Sequence, residues 1–156
     1  MITLFTVLLA AAPVEATKPA VMPITPPICA ERCINPIEAV TLTAQIGNGA
    51  GVMGDFAMTV KAVGFDRGRF YLNSEPDYRD RNCLTVVVPA AVMTKLAGSA
   101  DLEAVKKLYV GNKINTRGVA RQVRFDFIVE NQPTGKYYYQ SHLFVANEQN
   151  LVRTAS

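Results

Sequence analysis

The period of the apolar residues changes twice along this chain, and those changes restrict the fold more than any single motif. Phe56, Met58, Val60 and Ala62 alternate, as on a half-buried strand. "RFYLNS" continues the pattern, with Phe70 and Leu72 on one face and Tyr71 and Asn73 on the other. "CLTVVVP" does the same with Leu84, Val86 and Val88. The spacing then becomes helical: Val92, Met93 and Leu96, followed by Leu102, Val105 and Leu108. Strand spacing returns in "NKINTRGVARQVRFDFIV" and "YYYQSHLFVA". The predicted order is β-β-β-α-β-β.

Punctuation supports this order. Gly68 in "DRGR" suits the positive φ of a tight hairpin. Gly118 predicts a bulge or close packing within strand four. Asn35, Pro36 and Glu38 form the start of a short helix ahead of the strands, which Thr41 and Thr43 are expected to end within about two turns. "GNGAGVMG" reads as a flexible connection. Gly98-Ser99 divides the helical stretch, with Ser99 able to cap its second part, and "NEQNLVRTAS" reads as a tail.

Five short strands with one helix between the third and fourth is the arrangement of the OB-fold, a Greek-key barrel. The stretches "MTVKAVGFDRGRFYLNSEPDYRDRNCLTVVV" and "LYVGNKINTRGVARQV" resemble bacterial exported OB-fold proteins of the nucleic-acid-binding, tRNA-anticodon-like type. The resemblance covers roughly residues 34–145 and implies a mostly β fold with one helix, closed as a five-stranded barrel. It is poor for function, because such barrels host many activities.

The chain's beginning points to export. Residues 2–12 are apolar or small, too few to cross a bilayer, and Val14-Glu15-Ala16 fits signal-peptide cleavage after Ala16. The organisation predicted is a signal peptide over 1–16, a proline-rich leader with a C-x-x-x-C over 17–33, the barrel over 34–147 and a tail over 148–156. A periplasmic or secreted protein with no transmembrane segment and no lipid anchor follows. In that setting Cys29 and Cys33 are expected to form a disulfide, and Cys83 to be a buried small hydrophobe. The chain carries 16 basic and 13 acidic residues, a formal charge of +3, which suits an anionic partner without demanding one.

The charged middle of "FYLNSEPDYRDRNCLTVVVP" is the connection from strand two to strand three. Glu75, Asp77 and Asp80 supply carboxylates, but no matching histidine, nucleophile or metal cage accompanies them. Arg79 and Arg81 can neutralise these acids locally. On an OB-type barrel the binding face spans strands two and three and their loops. This places Arg69, Tyr71, Asn73, Tyr78, Arg79 and Arg81 in one neighbourhood, flanked by Arg117 or Arg121. Arg67, Lys113 and Arg124 extend the basic set, and Tyr137 and Tyr139 supply aromatic faces beside it. His142 is a lone histidine, expected to be structural, and the inward face of its strand is left open. The reading is a non-enzymatic binding module with no cofactor and no metal. Its partner is a protein or an anionic polymer. The alternatives are an oligonucleotide- or oligosaccharide-binding barrel, or a small hydrolase such as a nuclease.

Overall fold

The computed structural model describes residues 27–47 and 49–154. The expected signal peptide and most of the proline-rich leader lie outside the described residues. The protein is mostly β, with helices packed on one sheet.

Helix α1 (Pro36–Ile46) begins as expected. The Asn35 side chain accepts from the Glu38 N–H, and the Glu38 carboxylate accepts from the Asn35 N–H, each at 3.0 Å. The helix runs for 11 residues, longer than Thr41 and Thr43 predict. Both threonines bond back to carbonyls within the helix, Thr41 to Ile37 and Thr43 to Val40. Thr43 also meets the Ser141 hydroxyl at 2.8 Å in the interior. Satisfied in this way, neither residue favours extended chain.

Seven strands follow: β1 (Gly51–Thr59), β2 (Ala62–Asp66), β3 (Arg69–Asn73), β4 (Leu84–Pro89), β5 (Lys113–Val129), β6 (Gln132–Phe144) and β7 (Leu151–Thr154). They form one sheet in the order β1-β5-β6-β4-β3-β2, with β7 also on β5. All pairings are antiparallel except β4 with β6.

This differs from the predicted closed five-stranded barrel. The expected first strand is two strands. At Val60 the chain leaves β5, its N–H reaching the Asn112 carbonyl; at Lys61 it joins β3, its N–H reaching the Asn73 carbonyl at 2.8 Å. The apolar alternation slips at this bend, so Val63 is buried in place of Ala62. The path is therefore open, and its two end strands are consecutive in the chain. The glycine-rich 51–54 segment belongs to β1, and the expected tail supplies β7.

The turn between β2 and β3 has positive φ at both Arg67 and Gly68, matching a two-residue hairpin turn. The β1–β5 register runs unbroken through Gly118, which is a site of close packing. A Cβ there would lie 2.6 Å from the Phe144 carbonyl oxygen. The bulge falls instead between Asp126 and Ile128.

The helical stretch, counted as one helix in the predicted order, is divided at the left-handed Gly98 as expected, into α2 (Ala90–Ala97) and α3 (Leu102–Tyr109). Asp101, not Ser99, caps α3: its carboxylate accepts from the Ala104 N–H at 2.9 Å. Met93, Val105 and Tyr109 bury against Phe56, Phe70, Leu72, Leu84, Val86 and Leu143 of the sheet. Cys29 and Cys33 are joined, their Cα atoms 5.1 Å apart, and Cys83 is a buried free thiol. Among the described residues no helix is long and apolar enough to cross a membrane.

Candidate functional site

Strand alternation sorts β3, β4 and β6 into two chemically different faces. Phe70, Leu72, Leu84, Val86, Val88 and Leu143 enter the core. The opposite face carries Tyr71 and Asn73 of β3, Thr85 of β4, and Tyr138, Gln140 and His142 of β6. The register aligns them: Asn73 stands opposite Thr85, and Thr85 opposite His142. This settles the orientation of the last long strand, with Leu143 and Val145 in the core and His142 and Phe144 on the other face.

On that face lies a cleft of about 420 Å³. Its polar floor is Asn73, Thr85, Gln140 and His142, all buried. Thr85 Oγ1 donates to Asn73 Oδ1 at 2.8 Å. His142 Nε2 meets Gln140 Oε1 at 2.8 Å, and Gln140 Nε2 reaches the Tyr138 hydroxyl at 3.3 Å. Tyr71, Tyr78, Phe125, Tyr138 and Phe65 line the walls, and Asp66 is the one carboxylate in the lining.

The imidazole lies within this aromatic set. Its ring centroid is 6.1 Å from Tyr71, 5.6 Å from Phe125 and 6.0 Å from Phe144. Phe125 and Tyr138 stack at 5.5 Å. Burial lowers the His142 pKa to about 4, so the ring is neutral near pH 7. With Gln140 Oε1 as acceptor, the neutral ring carries its proton on Nε2, and Nδ1 is left as an acceptor.

The eight residues that the sequence nominated separate into groups. Tyr71, Asn73 and Tyr78 line the cleft. Arg79 stands beside it, its guanidinium 5.4 Å from the Tyr78 ring centroid and 3.2 Å from the Asp77 carboxylate. The backbone and side-chain N–H groups of Arg79 hold the Asp77 pKa below the usual carboxylate value. Arg69 is exposed and pairs in register with Asp66; Arg81 is exposed on the β3–β4 loop. Arg121 stands opposite His142 on the β5–β6 pairing and lies over Phe144 at 5.3 Å.

Arg117 has a different setting. It bonds Asp55 on β1 at 2.7 and 2.8 Å and the Pro27 carbonyl at 3.3 Å. The Asp55 carboxylate also accepts from the Cys29 N–H at 2.8 Å. These contacts brace the disulfide loop, and the Arg117 hydrogen bond is the largest cause of a lowered Asp55 pKa.

Sequence reasoning missed Thr85, Phe125, Tyr138, Gln140 and His142 as site residues. The available signal was "YYYQSH", whose even-numbered positions all face the cleft. Beyond it, Arg124 lies 4.1 Å over the Tyr137 ring, so these two members of the expected basic and aromatic sets are neighbours. Among the described residues, no group of three His, Cys, Asp or Glu side chains is placed to hold a metal ion. No family model, no curated protein and no solved structure matches the chain.

Proposed function

We propose that the protein is an exported, non-enzymatic binding module of OB type that takes its ligand in the cleft over β3, β4 and β6. The OB reading draws on the sheet path: β1 and β2 stand for the halves of one bent first strand, β4 and β6 run parallel, and α2 and α3 fall between β4 and β5. Export draws support from the Cys29–Cys33 bridge, a bond favoured in oxidising compartments.

One observation carries the binding reading. Asn73, Thr85, Gln140 and His142 are buried polar groups that face a cleft and not the core. Hydrophobic residues at these positions would avoid the desolvation cost of amides and an imidazole. A ligand with its own donors and acceptors gives those groups a use, and the aromatic walls suit a ring. The lining is uncharged apart from Asp66. The ligand class that fits is an uncharged ring rich in hydrogen-bonding groups, as presented by an oligosaccharide.

A second reading is a single-stranded oligonucleotide, with a base in the cleft and phosphates on the rim. It rests on Arg69, exposed opposite the cleft-lining Asp66. Calorimetric titration of the full chain with a short neutral oligosaccharide and with a single-stranded oligonucleotide separates the two. The first reading expects sugar binding that is insensitive to salt and weakened in Tyr71→Ala. Oligonucleotide binding that falls steeply with salt supports the second. Binding of either that is unchanged in Tyr71→Ala contradicts the cleft.

A further inference from the structure

β5 is much longer than its partner on one side. The β1 pairing ends at Gly51 opposite Arg121, whereas β6 covers the other edge to Val129. Among the described residues nothing pairs with the second edge of 122–129. A long open edge is a template for another strand, and proteins usually blunt such edges with lysine or proline. Residues 122–129, "QVRFDFIV", contain neither. Phe127, Ile128 and Val129 are instead 50%, 64% and 61% exposed.

We propose that this edge pairs antiparallel with the same edge of a second copy, forming a symmetric dimer about a two-fold axis at Phe125. Charge complementarity favours this pairing. Arg124 and Asp126 flank Phe125 and share a strand face, joined by an ion pair at 2.6 Å. A two-fold at Phe125 sets Arg124 of each copy opposite Asp126 of the other. It also sets Val123 opposite Phe127, and Gln122 opposite Ile128. Such self-complementarity is what a two-fold interface requires.

Neighbouring registers lack it. Centring on Val123 sets Asp126 opposite Ala120, whose edge β1 already occupies. Centring on Phe127 brings in Glu130 and Asn131, turn residues with positive φ that cannot extend the strand. Because Phe125 also lines the cleft, the favoured register places the two clefts side by side on one continuous sheet face.

The test is sedimentation of the full chain with charge-reversed variants. Wild type is expected to be a dimer. Arg124→Asp and Asp126→Arg each create two like-charge contacts and should each weaken the dimer about thirty-fold. Mixing the two variants in equal amounts restores opposite charges across the axis and should restore dimer of mixed composition. The doubly swapped Arg124→Asp/Asp126→Arg chain should dimerise alone. A wild-type monomer at every attainable concentration, leaving the edge to an extended peptide of another protein, overturns the proposal. So does a dimer indifferent to the single reversals, or single variants that stay monomeric when mixed.

Discussion

Thr85 and His142 stand side by side in the parallel β4–β6 pairing, and both turn away from the core toward the cleft. The pairing brings a hydroxyl from β4 next to a neutral imidazole from β6, although the two residues are far apart in the chain. The aromatic rings around His142 keep water from it, and this has a measurable consequence.

Stability should depend on pH through His142. Its pKa is lowered from 6.5 to about 4 in the folded protein. The unfolded chain therefore binds a proton between these values that the folded protein does not. This contribution is fully present above about pH 6.5 and is lost as pH falls toward about 4; below that it changes no further. Its size is about 3 kcal/mol. Urea unfolding across this range should show the slope in wild type and a flatter profile in His142→Gln. Equal slopes in both proteins would assign the dependence to other groups.

Neighbouring residues on β3 should respond in opposite ways to alanine. Leu72 is fully buried in the core, and Leu72→Ala should cost about 2–5 kcal/mol of stability. Tyr71 lines the cleft, and Tyr71→Ala should leave the fold intact while weakening ligand binding by about 1–3 kcal/mol. Chemical denaturation and calorimetric titration on the same two variants check the pair.

β3 was legible because its alternation is chemically clean: Phe70 and Leu72 against Tyr71 and Asn73. The β6 face was not, because aromatic residues serve both sides. Phe144 and Tyr138 look like core residues, yet Tyr138 lines the cleft and Phe144 packs near His142 on the same face, while Leu143 and Val145 fill the core. The alternation put Thr85 opposite the Leu84, Val86 and Val88 face, as the structure has it, but a strand buried on both sides gives no sign of which face borders a cleft. The split of the first strand was likewise invisible: the slip at Lys61 depends on which neighbour each half finds, and period alone carries no such information. Arg117 was nominated for its charge, but its partner Asp55 is brought to it only by the β1–β5 register.

The cysteines should behave as two classes. A thiol reagent should leave native Cys83 unmodified and label it after unfolding, since it is buried. Cys29 and Cys33 should resist labelling until reduced. Replacing both by serine should cost about 2 kcal/mol, because the closed loop is short. Mass spectrometry after labelling, with denaturation curves of the variant, reads both.

Gly118 should tolerate no larger side chain. An added Cβ meets the backbone oxygen of Phe144 in the adjacent strand, and backbone cannot swing aside as a flexible side chain can. Gly118→Ala should destabilise by about 1–3 kcal/mol. Gly64, with open space around its Cβ position, is the matched control, and Gly64→Ala should cost less. Thermal unfolding of the two variants makes the comparison.

The central claim is that the cleft over β3, β4 and β6 is where the protein binds. Nuclear magnetic resonance of isotopically labelled full chain, titrated with a methyl glycoside and with a nucleoside, tests it most directly. The account predicts that at least one probe shifts signals of Tyr71, Asn73, Thr85, Gln140 and His142 together, and that Tyr71→Ala diminishes the response. Shifts centred on Asp55 and Arg117, or signals of the cleft residues that stay fixed with both probes, would contradict it.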